Sequence, residues 1–502
     1  MRGITLVLLA SALGAADFEA EGKRWWSHIE MLASDAMEGR NAGSEGHRKA
    51  AAWVASEFDK RGLKPAGTKG YLQAVKLNVI GINEGKSSLA IVRDGATTPL
   101  KLGEDANLGK RAGLAPSLEA EVVFCGYGLQ IPEANYDDFA GIDVKGKIVV
   151  YLGGGPKGIS SALRAHYSSG GQRWKAAKAA GAIGFLSVAN PKSMDIPWER
   201  STLARLNPTM ALAELGPDSV VGMQFQATMN PAHADKFLAA SGHKFADILA
   251  LADSGQPLPH FPLGIKIKAT ETLTLTKAES PNVVAMLPGS DPKLKNEYVV
   301  FSAHLDHLGI GEPINGDKIY NGAMDDASGV ASLLEVATFL KEVKLKRSVL
   351  FVAVTGEEKG ELGSEYFAGH PTVPGKNIVA DINMDMFLPL FPLKYLEVQG
   401  VDESTLGDAI RKAANAAGVE VQADKEPDRN LFIRSDQYSF VKEGIPALAF
   451  KFGYIPGGAE EKIAKEWLRV RYHAPSDDLN QPVDKPAAAQ FNRILAALGE
   501  SV

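Results

Sequence analysis

The stretch VFSAHLDHLGIGEPINGDKIYNGAMDDASG, residues 300–329, constrains this chain more than any other. An apolar run, YVVFSA, ends at His304, Asp306 and His307. A Gly- and Asn-rich loop follows, and Asp325 and Asp326 stand directly before the helical pattern SGVASLLEVATFL. A histidine at a strand end and a carboxylate at a helix start are where a parallel α/β sheet gathers its chemistry. From residue 280 onward the texture keeps to that scheme. NVVAMLPG, SVLFVAVTGEE, NIVADINMDM, YLEVQGV and IPALAFKF read as strands. Helices are expected from Asp326 to Val343, in GELGSEYFAGH and TLGDAIRKAANAAGV, and from Pro486 to Leu498, with a helical turn in SDQYSFVKEG. The fold class is therefore α/β, a mostly parallel sheet flanked by helices.

At 502 residues the chain is too long for one ordinary domain. Residues 86–275 differ in texture: short strands (EVVFCGYG, GKIVVYLGG, AIGFLSV, ALAELG) are separated by Gly and Pro turns and interrupted by a single helix, QRWKAAKAAGA. They read as an inserted β-rich unit. Residues 17–85 hold two helix patterns, the second running to a stop at Gly62, and belong with 276–502 as one domain. Glu38 and Arg40, between those helices, read as a salt-bridged surface turn. His166, His233, His243 and His260 are scattered through the insert and read as structural or surface residues.

Arg2 and the apolar run ITLVLLASAL precede Gly14, Ala15 and Ala16. The run is too short to span a bilayer, and residues 1–16 have the form of a cleaved export leader. The expected location is a periplasm or the cell exterior; the other reading is a buried N-terminal strand. No later stretch is apolar and long enough for a membrane helix, so no stable membrane association is expected. The net charge of −6 gives no basic stripe and argues against nucleic-acid binding. Cys125 is the only cysteine, which excludes a disulfide within the chain; it sits in an apolar run as a buried small hydrophobe.

Acidic and histidine stations recur at element ends: His304 with Asp306 and His307, then Asp325, Glu357 with Glu358, Asp385 and His473. Each alone has a bland reading. Asp326 suits a helix cap, and a Glu-Glu pair is usually a solvated face. Together they suit two zinc ions, whose charge three carboxylates and a hydroxide neutralise. Glu357, beside Glu358, is then left free to act as a base.

The motifs SAHLDHLG, GAMDDASG, TGEEKGELGS, INMDM, RSDQYSF and YHAPSDD, over about residues 280–480, resemble the co-catalytic di-zinc exopeptidases of the aminopeptidase S and aminopeptidase Y type. Glutamate carboxypeptidase and the transferrin receptor are relatives of that family. The insert is similar to a protease-associated domain. The resemblance implies that His304 and Asp385 hold one zinc, Glu358 and His473 the other, and that Asp325 bridges both across a cis peptide to Asp326. It implies that Asp306 orients His304 through its other ring nitrogen, that Glu357 is the general base and that Tyr472 steadies the oxyanion. Arg434, Ser435 and Asp436 match a segment lining the substrate pocket. His307 has no ligand role in the pattern and is expected to pack nearby.

The implied activity is that of an exported zinc aminopeptidase, cutting peptide substrates by attack of a bridging hydroxide. A carboxypeptidase or dipeptidase on the same site is the alternative, since Arg429, Arg434, Arg469 and Arg471 fall near pocket segments and a free carboxylate needs arginine. A more distant alternative is an acyl-transferring cyclase. From another class, a binding or scaffold protein that has lost its metals would have replaced ligands, whereas all five and the base are present here.

Overall fold

The computed structural model describes residues 17–502 except 112, 195 and 215–220; the expected leader, residues 1–16, lies outside the described residues. Seven of the ten strands of the main sheet form its body: β1 (Leu72–Ile82), β2 (Leu273–Leu287), β3 (Tyr298–His304), β4 (Ser348–Val354), β5 (Ile378–Asn383), β6 (Tyr395–Gln399) and β7 (Ala447–Gly453). Their order is β1-β2-β4-β3-β5-β7-β6. The central four, β4-β3-β5-β7, are parallel, whereas β1, β2 and β6 join antiparallel. Parallel order thus holds the middle of the sheet and one short pair at its edge, β6 with Glu420–Gln422. In the middle every residue of β4 is buried, as expected of a strand covered by helices on both faces.

One face is covered by α1 (Phe18–Leu32), α2 (Glu45–Lys60), α3 (Ser328–Leu340) and α4 (Lys485–Ser501), whose apolar side chains join those of the sheet in one core. The N-terminal helices therefore pack on the sheet formed by the C-terminal half, as the sequence leads one to expect. Trp25 of α1, fully buried, donates from its indole nitrogen to Ser328 O and Ser332 Oγ at 3.1 Å. Arg24 beside it forks onto Glu335 of α3. α3 is apolar almost all round and accordingly buried almost all round.

The insert forms its own eight-stranded sheet between Ser88 and Thr270, with its own core. It is not served by a single helix: Ser161–Ser168, Gly170–Ala179 and Phe245–Ser254 are all helical. The last buries only Phe245, Ile248 and Ala252, a face too short to stand out in a Gly- and Pro-rich background. The ALAELG strand also differs from expectation. Thr209–Leu212 leaves the insert and pairs antiparallel with β1 of the main sheet. Strand pattern reveals a pleated segment but not its partner.

Two further elements were not legible. Helix Ala459–Val470 buries only Trp467 fully, and the rest of its apolar stripe, Ile463, Ala464 and Leu468, stays at the surface or half-buried. The loop after His307 is a hairpin, Gly309–Ile314 with Asp317–Tyr320, turned at Asn315 and Gly316 with φ of 53° and 88°. Among the described residues no helix is long and apolar enough to cross a membrane.

Candidate active site

The parallel strands deliver their C-terminal ends to one edge, and the predicted stations meet there. His304 closes β3, Glu357 and Glu358 follow β4, and Asp385 follows β5. Asp325 and Asp326 sit in the irregular turn Ala323–Ala327 before α3, joined by a cis peptide. His473 lies in the loop after helix Ala459–Val470.

His304 Nε2 stands 3.1 Å from Asp325 Oδ1 and 3.4 Å from Asp385 Oδ1. On the other side, His473 Nε2 stands 3.4 Å from Asp325 Oδ2 and 3.2 Å from Glu358 Oε2. Asp325 thus turns one oxygen to each histidine, as a bridging ligand must. His304 Nε2, Asp325 Oδ2, Glu358 Oε1 and Asp385 Oδ1 are buried and have no hydrogen-bond partner. Buried polar atoms that face one another without hydrogen bonds are a donor set for cations. Imidazoles mixed with carboxylates suit zinc.

The electrostatics agree. Burial alone would lower the His304 pKa, but Glu357, Asp325 and Asp385 hold it well above the ordinary value. The same contest, with Glu358 and Asp325 against burial, raises His473 to about 10. Glu358 is held well below the usual carboxylate range against burial, through His473 and His307. The cluster demands positive charge.

The remaining predicted residues divide. Asp306 does not reach His304 through its carboxylate: His304 Nδ1 lies 2.9 Å from the main-chain oxygen of Asp306. The Asp306 carboxylate accepts the N–H of Glu357 at 3.1 Å instead, so it positions Glu357. Asp326 is a cap, accepting Gly329 N at 2.9 Å. Gly329 is required there, since a Cβ would fall 1.8 Å from Met384 O.

A cavity of about 130 Å³ opens beside Asp385. Tyr472, Arg434 and Ser435 line it, with Met386, Phe391, Phe450 and Phe452 supplying apolar wall and Glu397 and Lys451 polar floor. Asp436 does not line it. It is fully buried behind the site, and burial raises its pKa to about 7. Cys125 is buried in the insert, and its thiol pKa is pushed up to about 12 by desolvation, leaving it inert.

Two residues that hold the site were not read from the sequence. Arg40 is no surface turn: it is fully buried and donates to the carbonyls of Leu32, Leu305, Asn321 and Gly322 at 2.6–2.9 Å. It therefore ties the end of β3 to the loop that delivers Asp325. Burial lowers its pKa to about 10, against the pull of Asp477, Asp306, Asp326 and Asp325, so it remains charged. Asp477 accepts the N–H groups of Met324 and Asp325 at 2.9 and 3.0 Å and fixes the bridging residue from behind. Arg40 carries no signal of its own in the sequence, and Asp477 only its place in YHAPSDD.

Residues 282–499, which contain every ligand station, match the model of peptidase family M28. A probable leucine aminopeptidase 2 of Aspergillus oryzae is 27% identical over 400 residues, covering 76% of this chain and 68% of that protein. Aminopeptidase YwaD of Bacillus subtilis is 24% identical over 492 residues, covering 96% of this chain and 85% of its own. The solved aminopeptidase from Aneurinibacillus sp. strain AM-1 shares the fold of this chain, with a TM-score of 0.57 at 19% identity over 96% of this chain and 94% of that one.

Proposed function

We propose that this chain is a peptidase of the M28 type, a zinc-dependent aminopeptidase that releases N-terminal residues from peptides. The observation that carries the reading is a partly exposed carboxylate, Glu357, beside five convergent metal-ligand residues and a cavity of about 130 Å³. That cavity suits one residue of a substrate rather than a chain passing through. Relatives named aminopeptidases support the choice of terminus.

Zinc held by His304, Asp385, Asp325, Glu358 and His473 supplies positive charge that polarises a carbonyl and acidifies water. Glu357 takes the proton of the attacking water on its carboxylate and gives it to the nitrogen of the leaving amine. Burial raises its pKa well above the ordinary value; His304 opposes this, while Asp385 and Glu358 add to it. Burial, followed by Asp325 and Glu358, also holds the Tyr472 hydroxyl well above the usual phenol value. The hydroxyl stays protonated and donates to the carbonyl oxygen as charge grows there. Of the carboxylates that line the cavity, Glu397 and Glu426 are paired with Lys425 and Arg429, which leaves Asp385 to draw a free α-ammonium.

Of the arginines that favour a carboxypeptidase, Arg469 is turned to Glu466 and Arg471 to the loop carbonyl of Ser476, while Arg429 and Arg434 border the cavity. Export to a periplasm or the exterior rests on the leader-like residues 1–16, and a protease-associated insert on the motifs of residues 86–275.

The test compares a free-amine aminoacyl amide with its N-acetylated twin, before and after zinc removal and return. Cleavage of the free-amine substrate alone, restored by zinc, is expected. Cleavage only of peptides with a free C-terminus moves the carboxypeptidase or dipeptidase reading ahead.

A further inference from the structure

His307 does not simply pack beside the site. It is fully buried, yet neither ring nitrogen has a hydrogen-bond partner. A core imidazole left in that state is costly, and it normally finds a carbonyl or water. Here Nδ1 stands 2.7 Å from Glu358 Oε1 and 3.8 Å from Asp325 Oδ2, without hydrogen-bond geometry to either. His473 approaches the same two carboxylates from its own loop, at 3.2 and 3.4 Å. The two rings lie 6.0 Å apart between centres. Donor atoms that share a zinc ion at roughly 2.0–2.2 Å stand about 3–4 Å from one another. The imidazole–carboxylate separations around Glu358 and Asp325 fall in or just below that range.

The backbone makes room for the ring. A Cβ on Gly322, whose φ is +61°, would fall 2.5 Å from Cγ of His307. The His307 N–H meets Arg40 O at 3.4 Å, so the clamp that holds His304 also sets this ring.

We propose that His307 is a fourth protein ligand of the metal position formed by Asp325, Glu358 and His473. The inference rests on the dinuclear zinc reading above. It makes the two positions unequal. One holds two imidazoles and two carboxylates; the other holds His304, Asp325 and Asp385 and keeps more room for substrate. The nitrogen-rich position fills first and selects zinc or cobalt over magnesium or manganese more strongly than its neighbour.

The test uses the full chain with His307→Ala and, should that variant fold poorly, the closer-sized His307→Asn. Zinc affinity is measured by chelator competition, and imidazoles per metal by X-ray absorption on the cobalt-loaded protein. The wild type is expected to bind two zinc ions with three imidazoles between them. In the variant, one dissociation constant rises by more than about 100-fold, beyond the loss expected for a residue that only supports a ligand. The imidazole count falls to two. Unchanged affinities overturn the proposal. So does a weaker affinity with three imidazoles still counted in the variant, or two in the wild type, since His307 would then only orient Glu358. A wild type that binds no zinc removes the dinuclear reading itself, a failure distinct from either.

Discussion

Arg40 is the side chain on which the placing of the metal ligands most depends. Its guanidinium offers five donors in a fixed fork, and four buried carbonyls use them. Arg40→Met leaves those carbonyls unpaired and is expected to destabilise the chain by roughly 3–5 kcal/mol, read as a shift of the urea midpoint. Arg40→Lys should recover only part of this, since an ammonium cannot fork. A variant as stable as the wild type would contradict the clamp. Glu357 behaves differently, because in the proposed mechanism its carboxylate acts on substrate rather than holding the fold. Glu357→Gln is expected to keep two zinc ions and to lose about 10²–10⁴ in turnover, measured by metal analysis and steady-state kinetics. Retained activity would remove its assignment as the base. The contrast explains what could be read from the sequence. Glu357, Glu358, His304, Asp325, Asp385 and His473 are acids and imidazoles at element ends, and their residue types announce chemistry. Arg40 looks like any charged turn residue, because one of its partners is a main-chain oxygen 265 positions away. Asp306 was placed correctly in space but given the wrong contact, since a sequence does not distinguish a residue's carboxylate from its own carbonyl.

At the scale of elements, the connection between the two sheets carries an unusual group. Glu271 stands where the chain leaves the insert to enter β2, is 5% exposed, and has neither carboxylate oxygen paired. Burial raises its pKa from the ordinary 4.5 to about 8. Between those values the folded chain holds a proton that the unfolded chain has released. The site therefore costs nothing below pH 4.5 and costs more as pH rises to 8. Glu271→Gln is expected to stabilise the protein by about 3 kcal/mol at pH 7, with the gain shrinking towards zero near pH 5. Urea midpoints of variant and wild type at the two pH values check this; an equal gain at both would mean the group is not buried as a titrating acid. The strands and helices of the parallel core were legible because period-2 and period-3.6 patterns alternate cleanly from residue 280 onward. Thr209–Leu212 and Ala459–Val470 were not, for opposite reasons: the first pairs with a strand of the other sheet, and the second has almost no buried face.

At the scale of the whole molecule, the insert borders the approach to the site. Trp198 and Phe245 from the insert, with Glu426, Arg429, Lys465 and Leu468 from the main unit, line a groove of about 750 Å³. The last four residues also line the cavity beside Asp385. Arg200 of the insert donates to the carbonyls of Leu468 and Arg469, just ahead of Tyr472 and His473. The insert thus braces the segment that supplies one metal ligand. All of this serves the central claim that the ends of the parallel strands form a two-metal hydrolytic centre. The most direct test is to strip the protein with a chelator, return zinc by titration, and follow bound metal and hydrolysis of a free-amine aminoacyl amide together. Two zinc ions are expected to bind per chain, with activity reaching its plateau as the second equivalent is taken up. A protein that binds no zinc, or hydrolyses the amide equally well without it, would contradict the account.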